Sequence, residues 1–311
     1  MGRGGASNMG PGPVVAACSL SDEDGPVGRT AARAARGLGV ELRLVHLLRP
    51  AEAPPGVGGG VPEPAGRERV REAAGERLDA LAAELTREAG GRAVRTSVVE
   101  GVPHRGIAAV AEETVAGLVV LGAKAHAGEM SRLLGSTAER VVRHGVAPTL
   151  VVRGEPPAPL RRILGATDSS PLSNAALEAG LGLLAPLSDG DTEVRVFFAV
   201  SPFQGAVGER VVDYDDAMAV SAEEVERLAA RLGDRFPGTV GSRVERGFPR
   251  ELVVAEAEAF GADVVVVGSH GRGGFERMLI GSVAEHVLRH TPASVLVVPA
   301  RDPAEDAETP A

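Results

Sequence analysis

Four consecutive valines, Val264 to Val267, run directly into Gly268; Gly271, Gly273 and Gly274 follow before Gly281-Ser282 opens the amphipathic run "SVAEHVLRH". A glycine inside an element costs roughly 0.5–1 kcal/mol relative to alanine, so a cluster this dense needs a reason. One reason is chemical. A strand ending in glycine lets the backbone approach a ligand with no Cβ in the way. A helix opening at Ser282 would aim unpaired N–H groups and a partial positive charge at the same place, which suits a phosphate. The other reason is mechanical, glycines that only permit close packing. Ser282 has two readings as well, because its hydroxyl could meet a phosphate oxygen or cap the helix in a box with Glu285.

Other chemistries find less support. The chain has no Gly-x4-Gly-Lys-Ser/Thr run and no Gly-x-Gly-x-x-Gly after a strand, which excludes a P-loop and disfavours a dinucleotide fold. His46, His126, His144, His270, His286 and His290 are scattered, and no base and nucleophile are spaced for catalysis. An enzyme is therefore not expected. His286 and His290, one helical turn apart, are a metal pair if both face inward and a solvated face otherwise. The single cysteine, Cys18, lies in an apolar run and reads as a small buried hydrophobe.

Composition narrows the class further. A chain of 311 residues is about two domains long, and a 3% aromatic content with no Trp requires a core of Val, Leu, Ile and Ala. Such residues suit buried parallel strands under Ala-rich helices. A net charge of −9 argues against a nucleic-acid partner. No apolar stretch reaches the roughly 20 residues that span a bilayer, and "MGRGGASNMGPGP" lacks the apolar centre of a signal peptide. The expectation is a cytoplasmic protein with no membrane partner.

The elements that must position the glycines occur twice. Gly101–Val152 lies over Gly247–Val298 without a gap at an offset of 146 residues, with Gly101/Gly247, Pro103/Pro249, Gly122/Gly268, Gly135/Gly281, Ser136/Ser282, Glu139/Glu285 and His144/His290 in register. In each copy a first strand leads through a turn to a helix; in the second the turn is Asp168–Pro171 and the helix is expected near Ser173. Strands are expected at Glu41–Leu48 and Glu193–Val200, Ala93–Val99 and Thr239–Arg246, Leu118–Leu121 and Asp263–Val267, and Thr149–Val152 and Ser294–Val298. Charged helices are expected at about Arg67–Ala89 and Ala217–Leu232. Strands alternating with helices imply βαβ crossovers and, in each copy, a five-stranded open parallel sheet of the α/β class. The boundaries read as residues 13–153 and 161–300 for the two domains, 154–160 for the linker, and 1–12 and 301–311 for disordered ends.

A strand followed by Gly-x2-Gly-x9-Gly-Ser resembles the ATP-binding motif of the universal stress protein family, with Gly268, Gly271, Gly281 and Ser282 at its positions. The resemblance runs from about Pro13 to Pro299, as in the family's tandem members, and implies a Rossmann-like fold of the adenine nucleotide α-hydrolase-like kind. It also implies an ATP cofactor with Mg²⁺ bridging the phosphates, and no metal site of the protein's own. Carried over, it puts Asp168, with Ala166 beside it, near the nucleotide, Val200 at the adenine, and Val267, Gly268, His270, Gly271 and Arg272 along the ribose and phosphates. Gly281, Ser282 and Val283 hold the phosphate tail. Taken alone, Asp168 also reads as an Asx-turn or N-cap residue, and His270 and Arg272 as solvated loop residues.

The first copy departs from the motif. Ala125 replaces the second glycine and no aspartate follows its first strand in register, although Asp22 or Asp24 could substitute. Leu47, Gly122, Lys124, Gly135, Ser136 and Thr137 make up a weaker second site. The reading that results is an ATP-binding stress protein that holds nucleotide as a regulatory signal with at most slow hydrolysis. The alternative is a nucleotide-independent scaffold that recruits protein partners. The resemblance further implies that the two copies pair within the chain through their fifth strands, with a homodimer of whole chains open.

Overall fold

The computed structural model describes residues 12–21, 24–49, 64–123, 134–201, 206–207, 210–211, 214–270 and 280–299. Gly271, Arg272, Lys124, Ala125, His126 and Asp22 lie outside the described residues, as do 1–11 and 300–311. The chain divides into two compact units, Met1–Val120 and Leu121–Ala311.

The first unit alternates β1 (Val14–Cys18), α1 (Asp24–Leu38), β2 (Leu42–Leu48), α2 (Pro64–Glu88), β3 (Val94–Glu100), α3 (Pro103–Glu113) and the start of β4 (Leu118–Gly122). Its strands lie in the order β4-β1-β2-β3, with β1, β2 and β3 parallel. Val27, Ala31, Ala34 and Ala35 of α1 are buried at helical spacing, the stripe an amphipathic helix presents to a sheet.

The second unit begins with the end of β4 and holds α4 (Ser136–His144) and β5 (Thr149–Val152). It continues through β6 (Arg162–Thr167), α5 (Pro171–Leu184), a 3₁₀ turn at Ala185–Leu187, β7 (Glu193–Val200), a short hairpin of β8 (Ala206–Val207) and β9 (Arg210–Val211), and α6 (Tyr214–Gly233). β10 (Thr239–Arg246), α7 (Pro249–Phe260), β11 (Val264–Gly268), α8 (Ser282–His290) and β12 (Ser294–Val298) complete it. The strand order is β10-β7-β6-β11-β12-β5. Every described pair among these runs parallel except β12 with β5, which is antiparallel.

The valine run is the centre of this sheet. Val264 to Val267 are at most 3% exposed, and burying each contributes about 1.5–3 kcal/mol. The helix after Asp168 sits close on this sheet because small residues let it. A Cβ on Gly165 would meet Leu177 Cδ1 at 2.4 Å, and one on Gly180 would meet Val266 Cγ1 at 2.5 Å. Glu256, 4% exposed, is held by Arg195 Nη1 at 2.6 Å and Arg243 Nε at 3.3 Å, while the Arg195 guanidinium lies 4.0 Å from the centre of the Phe260 ring.

Around α4 and α8 the charges close a ring. Arg143 meets Glu139 at 3.0 Å and Glu285 at 3.3 Å, and Arg289 meets Glu139 at 2.9 Å and Glu285 at 3.3 Å. The Glu139/Glu285 and Arg143/Arg289 pairs are each one repeat offset apart.

Candidate functional site

The turn after β6 is built by hydroxyls. Ser170 caps α5 by accepting from Ser173 N at 3.1 Å, so the helix starts at Pro171, two residues before the expected Ser173. Ser173 Oγ accepts from Asp168 N at 3.2 Å and donates to Thr167 Oγ1 at 3.1 Å, which itself donates to Asn174 Oδ1 at 2.7 Å. Ser169 takes a left-handed φ of 62°, and Asp168 Oδ1 accepts from Ser170 N at 2.9 Å. Asp168 thus does make an Asx turn. One carboxylate oxygen is engaged by the turn, and the half-buried side chain stands at the carboxyl edge of the sheet.

β11 delivers the glycines to that edge. Val264, Val265 and Val266 pair with Ile163, Leu164 and Gly165, which sets Gly268 level with Thr167. A Cβ on Gly268 would lie 3.3 Å from Ala176 Cβ and 3.2 Å from His270 O, so close packing against α5 is one duty of this residue. Ser269 N donates to Val298 O at 2.8 Å, and Ser269 O accepts from Gly281 N at 2.6 Å. The two arms of the loop therefore cross at Ser269 and Gly281. A Cβ on Gly281 would stand 3.1 Å from Ser269 O and 3.7 Å from His270 Cα.

That crossing corrects the expected cap. Gly281, not Ser282, is the N-cap of α8, with no side-chain cap bond. Ser282 is the first helical residue and exposed, Val283 is half-buried, and no capping box with Glu285 forms. Side chains such as Ser or Asp are the preferred caps, but here a Cβ would crowd the crossing carbonyl. Among the described residues no side chain accepts from the first N–H groups of α8 at the strand edge. Beside them His270 Nδ1 lies 2.9 Å from Ser269 Oγ, and His270 Nε2 is buried with no hydrogen-bond partner. An imidazole nitrogen withdrawn from water and unmatched is the kind of polar group that calls for a ligand atom.

The structure thus gathers Ala166, Asp168, Val267, Gly268, His270, Gly281, Ser282 and Val283 at the carboxyl edge of β6 and β11. Val200 ends the neighbouring β7; it is 2% exposed and its carbonyl accepts from Gly247 N at 3.0 Å.

In the first repeat, Gly135 N donates to Ala123 O at 2.6 Å and Ala123 N to Val152 O at 3.0 Å. Gly135 is an N-cap without a side-chain bond, which leaves Ser136 and Thr137 in the first turn of α4; Gly122 ends β4. The turn after β1 closes differently. Leu20 takes the left-handed φ, 59°, so Ser19 occupies the place of Asp168. Asp24, 6% exposed, accepts from Ser19 N at 2.8 Å, from Ser19 Oγ at 3.0 Å and from Leu20 N. Asp24 ties down its own turn, and it is Ser19, not Asp24, that holds the backbone position of Asp168. Leu47 also needs correction. Leu48 accepts from Gly101 N at 2.9 Å and pairs with Glu100, as Val200 does with Gly247 and Arg246. Leu48 is therefore the counterpart of Val200, and Leu47 instead packs toward α3, where a Cβ on Gly106 would meet its Cδ1 at 2.3 Å.

Cys18 is 5% exposed, and burial, with the Asp24 carboxylate adding to it, raises its thiol far above the usual range. His286 and His290 stack with ring centres 4.0 Å apart, and His290 Nδ1 lies 2.8 Å from His286 O. Among the described residues no three His, Cys, Asp or Glu side chains converge on a metal position, and no helix is long and apolar enough to cross a membrane.

The profile of the universal stress protein family matches residues 12–153 and again 159–299. A universal stress protein of Mycolicibacterium smegmatis is 30% identical over 296 residues, 92% of this chain and 96% of that one. One from Mycobacterium bovis is 32% identical over 190 residues, 58% of each chain, so the match spans just over half the length of that relative. Among solved structures, a protein of unknown function from Pseudomonas aeruginosa superposes with a TM-score of 0.66 at 19% identity, covering 95% of both chains. A universal stress protein from Archaeoglobus fulgidus gives 0.63 at 17% identity, covering 93% of this chain and 98% of that one.

Proposed function

The chain belongs to the universal stress protein family, and from that membership we propose that its second repeat binds ATP and holds it as a regulatory signal. The observation that carries this reading is His270 Nε2, buried without a partner beside the uncapped start of α8. In the proposed complex Asp168 and Ala166 meet the ribose, Val200 bounds the base, and Val267, Gly268, His270, Gly271 and Arg272 run along the phosphates. Ser282 and Val283 present N–H groups to the terminal phosphates, and Gly281, whose own N–H is taken by the Ser269 carbonyl, keeps the approach free of a Cβ. Mg²⁺ bound with the nucleotide would supply charge neutralisation at the phosphates. The first repeat, with Ser19 in the place of Asp168 and Ala125 in the place of Gly271, is the weaker site, and Lys124 is its phosphate partner.

We place the protein in the cytoplasm as a regulatory protein rather than an enzyme, with domains 13–153 and 161–300 held together through their fifth strands. The test uses the intact chain as purified. Denaturation is expected to release an adenine nucleotide, read by mass spectrometry, and calorimetry of the stripped protein with Mg-ATP is expected to give one tight site per chain. No released nucleotide and no ATP binding would overturn the reading in favour of a nucleotide-independent scaffold.

A further inference from the structure

Among the described residues five large apolar side chains are exposed, Val70, Val102, Val115, Val220 and Phe248. Two of them, Val102 and Phe248, are the same position of the two repeats, the residue between Gly and Pro in each Gly-x-Pro turn. Each is the N-cap of the following helix, α3 or α7, with no side-chain cap bond. An N-cap favours Ser, Thr, Asp or Asn, so an apolar residue there gives up helix stability. A local rule broken at matching positions of two repeats points to a duty outside the helix.

Phe248 is the more telling of the two. The chain has seven Phe, one Tyr and no Trp. Phe197, Phe198, Phe236 and Phe260 are at most 8% exposed, whereas Phe248 is 54% exposed. The turn that carries it is fixed in place. Gly247 adopts a φ of 148°, a value side-chain-bearing residues rarely take, and its N–H is held by the Val200 carbonyl at 3.0 Å. Phe248 therefore stands at the carboxyl edge of the sheet, one residue from a backbone bond to the residue assigned to the base.

We infer that Phe248 supplies the aromatic face on which the nucleotide base stacks, and so makes the second repeat selective for a nucleotide over a bare polyphosphate. The inference rests on the nucleotide reading above and deepens it. Val102 offers no π-face at the matching place, which adds to the reasons why the first repeat is the weaker site.

The test is calorimetry of the intact chain with ATP and with inorganic tripolyphosphate, for the unsubstituted protein, Phe248→Ser and Phe248→Tyr. Removing an aromatic stacking partner is expected to weaken ATP about tenfold and to leave tripolyphosphate unchanged, while Phe248→Tyr keeps ATP affinity. Without ligand, Phe248→Ser is expected to raise the melting temperature by about 2 °C, because serine restores a helix cap. ATP affinity unchanged in Phe248→Ser, or equal losses for ATP and tripolyphosphate, overturns this inference alone. Absence of ATP binding by the unsubstituted protein overturns the site reading together with it.

Discussion

Replacing Gly281 by glutamate separates the two duties of that residue. Gly281 sits at φ −60° and ψ 147°, a backbone conformation open to any residue, so no torsional strain follows. The steric cost comes from the Cβ, 3.1 Å from the Ser269 carbonyl oxygen that accepts the Gly281 N–H at 2.6 Å. The crossing must open by a few tenths of an ångström, at about 1 kcal/mol, the low end of overpacking costs. Gly281→Ala carries that cost alone. The glutamate adds a negative charge at a helix start, which the helix itself tolerates. Against one phosphate charge about 6 Å away, an effective dielectric of about 20 gives roughly 2.8 kcal/mol of repulsion, or about a hundredfold in affinity. Calorimetry with Mg-ATP beside thermal melts is therefore expected to show a small, equal loss of stability in both variants and a collapse of binding only in Gly281→Glu. Gly135→Glu, at the equivalent crossing of the first repeat, is the control and should leave the tight site intact. If Gly281→Glu binds ATP normally while Gly135→Glu does not, the site has been assigned to the wrong repeat.

Asp168→Ala is expected to weaken ATP about tenfold or more by removing a charged hydrogen-bond acceptor. Asp24→Ala should leave ATP affinity unchanged and lower stability by about 2 kcal/mol in denaturant melts, because it removes the charged acceptor of the Ser19 and Leu20 N–H groups; equal affinity losses would show that the two turns are equivalent after all. Burial, with His290 next and Arg250 adding while Glu251 opposes, holds the His286 imidazole below its ordinary value of 6.5. The unfolded chain therefore takes up this proton first, and stability present above about pH 6.5 is lost as pH falls below it. His286→Gln should show a shallower loss of stability between pH 7 and pH 5, and an unchanged slope would remove His286 as the cause.

Where the physics is local, the sequence shows the fold. The strands β5, β7, β10 and β12 are legible to the residue, and the repeat offset carries the pattern from one copy to the other. β11 lies one residue later than expected at both ends, starting at Val264 rather than Asp263 and ending at Gly268, which still pairs with Val298. The 3₁₀ turn at Ala185–Leu187 and the β8–β9 hairpin, with its two-residue strands, are too short for any periodicity to show. The cap of α8 stays open in the sequence, because Ser282 and Glu285 have the spacing of a capping box, whereas the N-cap is decided by a carbonyl from a residue twelve positions upstream. Asp24 escaped for a similar reason. Two of its three partners are backbone N–H groups, which carry no signature in side-chain identity. Phe248 was legible in one respect only, as an aromatic residue in a chain that has few.

In the β12–β5 pair, Leu296 faces Leu150, with Val295 opposite Val151 and Val297 opposite Thr149. Leu150 and Leu296 are themselves one repeat offset apart, and so are Thr149 and Val295, and Val151 and Val297. The register sets every paired position of one strand in the same frame as its repeat counterpart, a local symmetry of the kind an isologous contact has. In a dimer of identical chains every substitution appears twice, so a change that spoils one pocket spoils both. Joined end to end, the halves inherit separately. The two paired leucines are the same residue in both copies, while the turn that carries Ser19 and the turn that carries Asp168 have already parted.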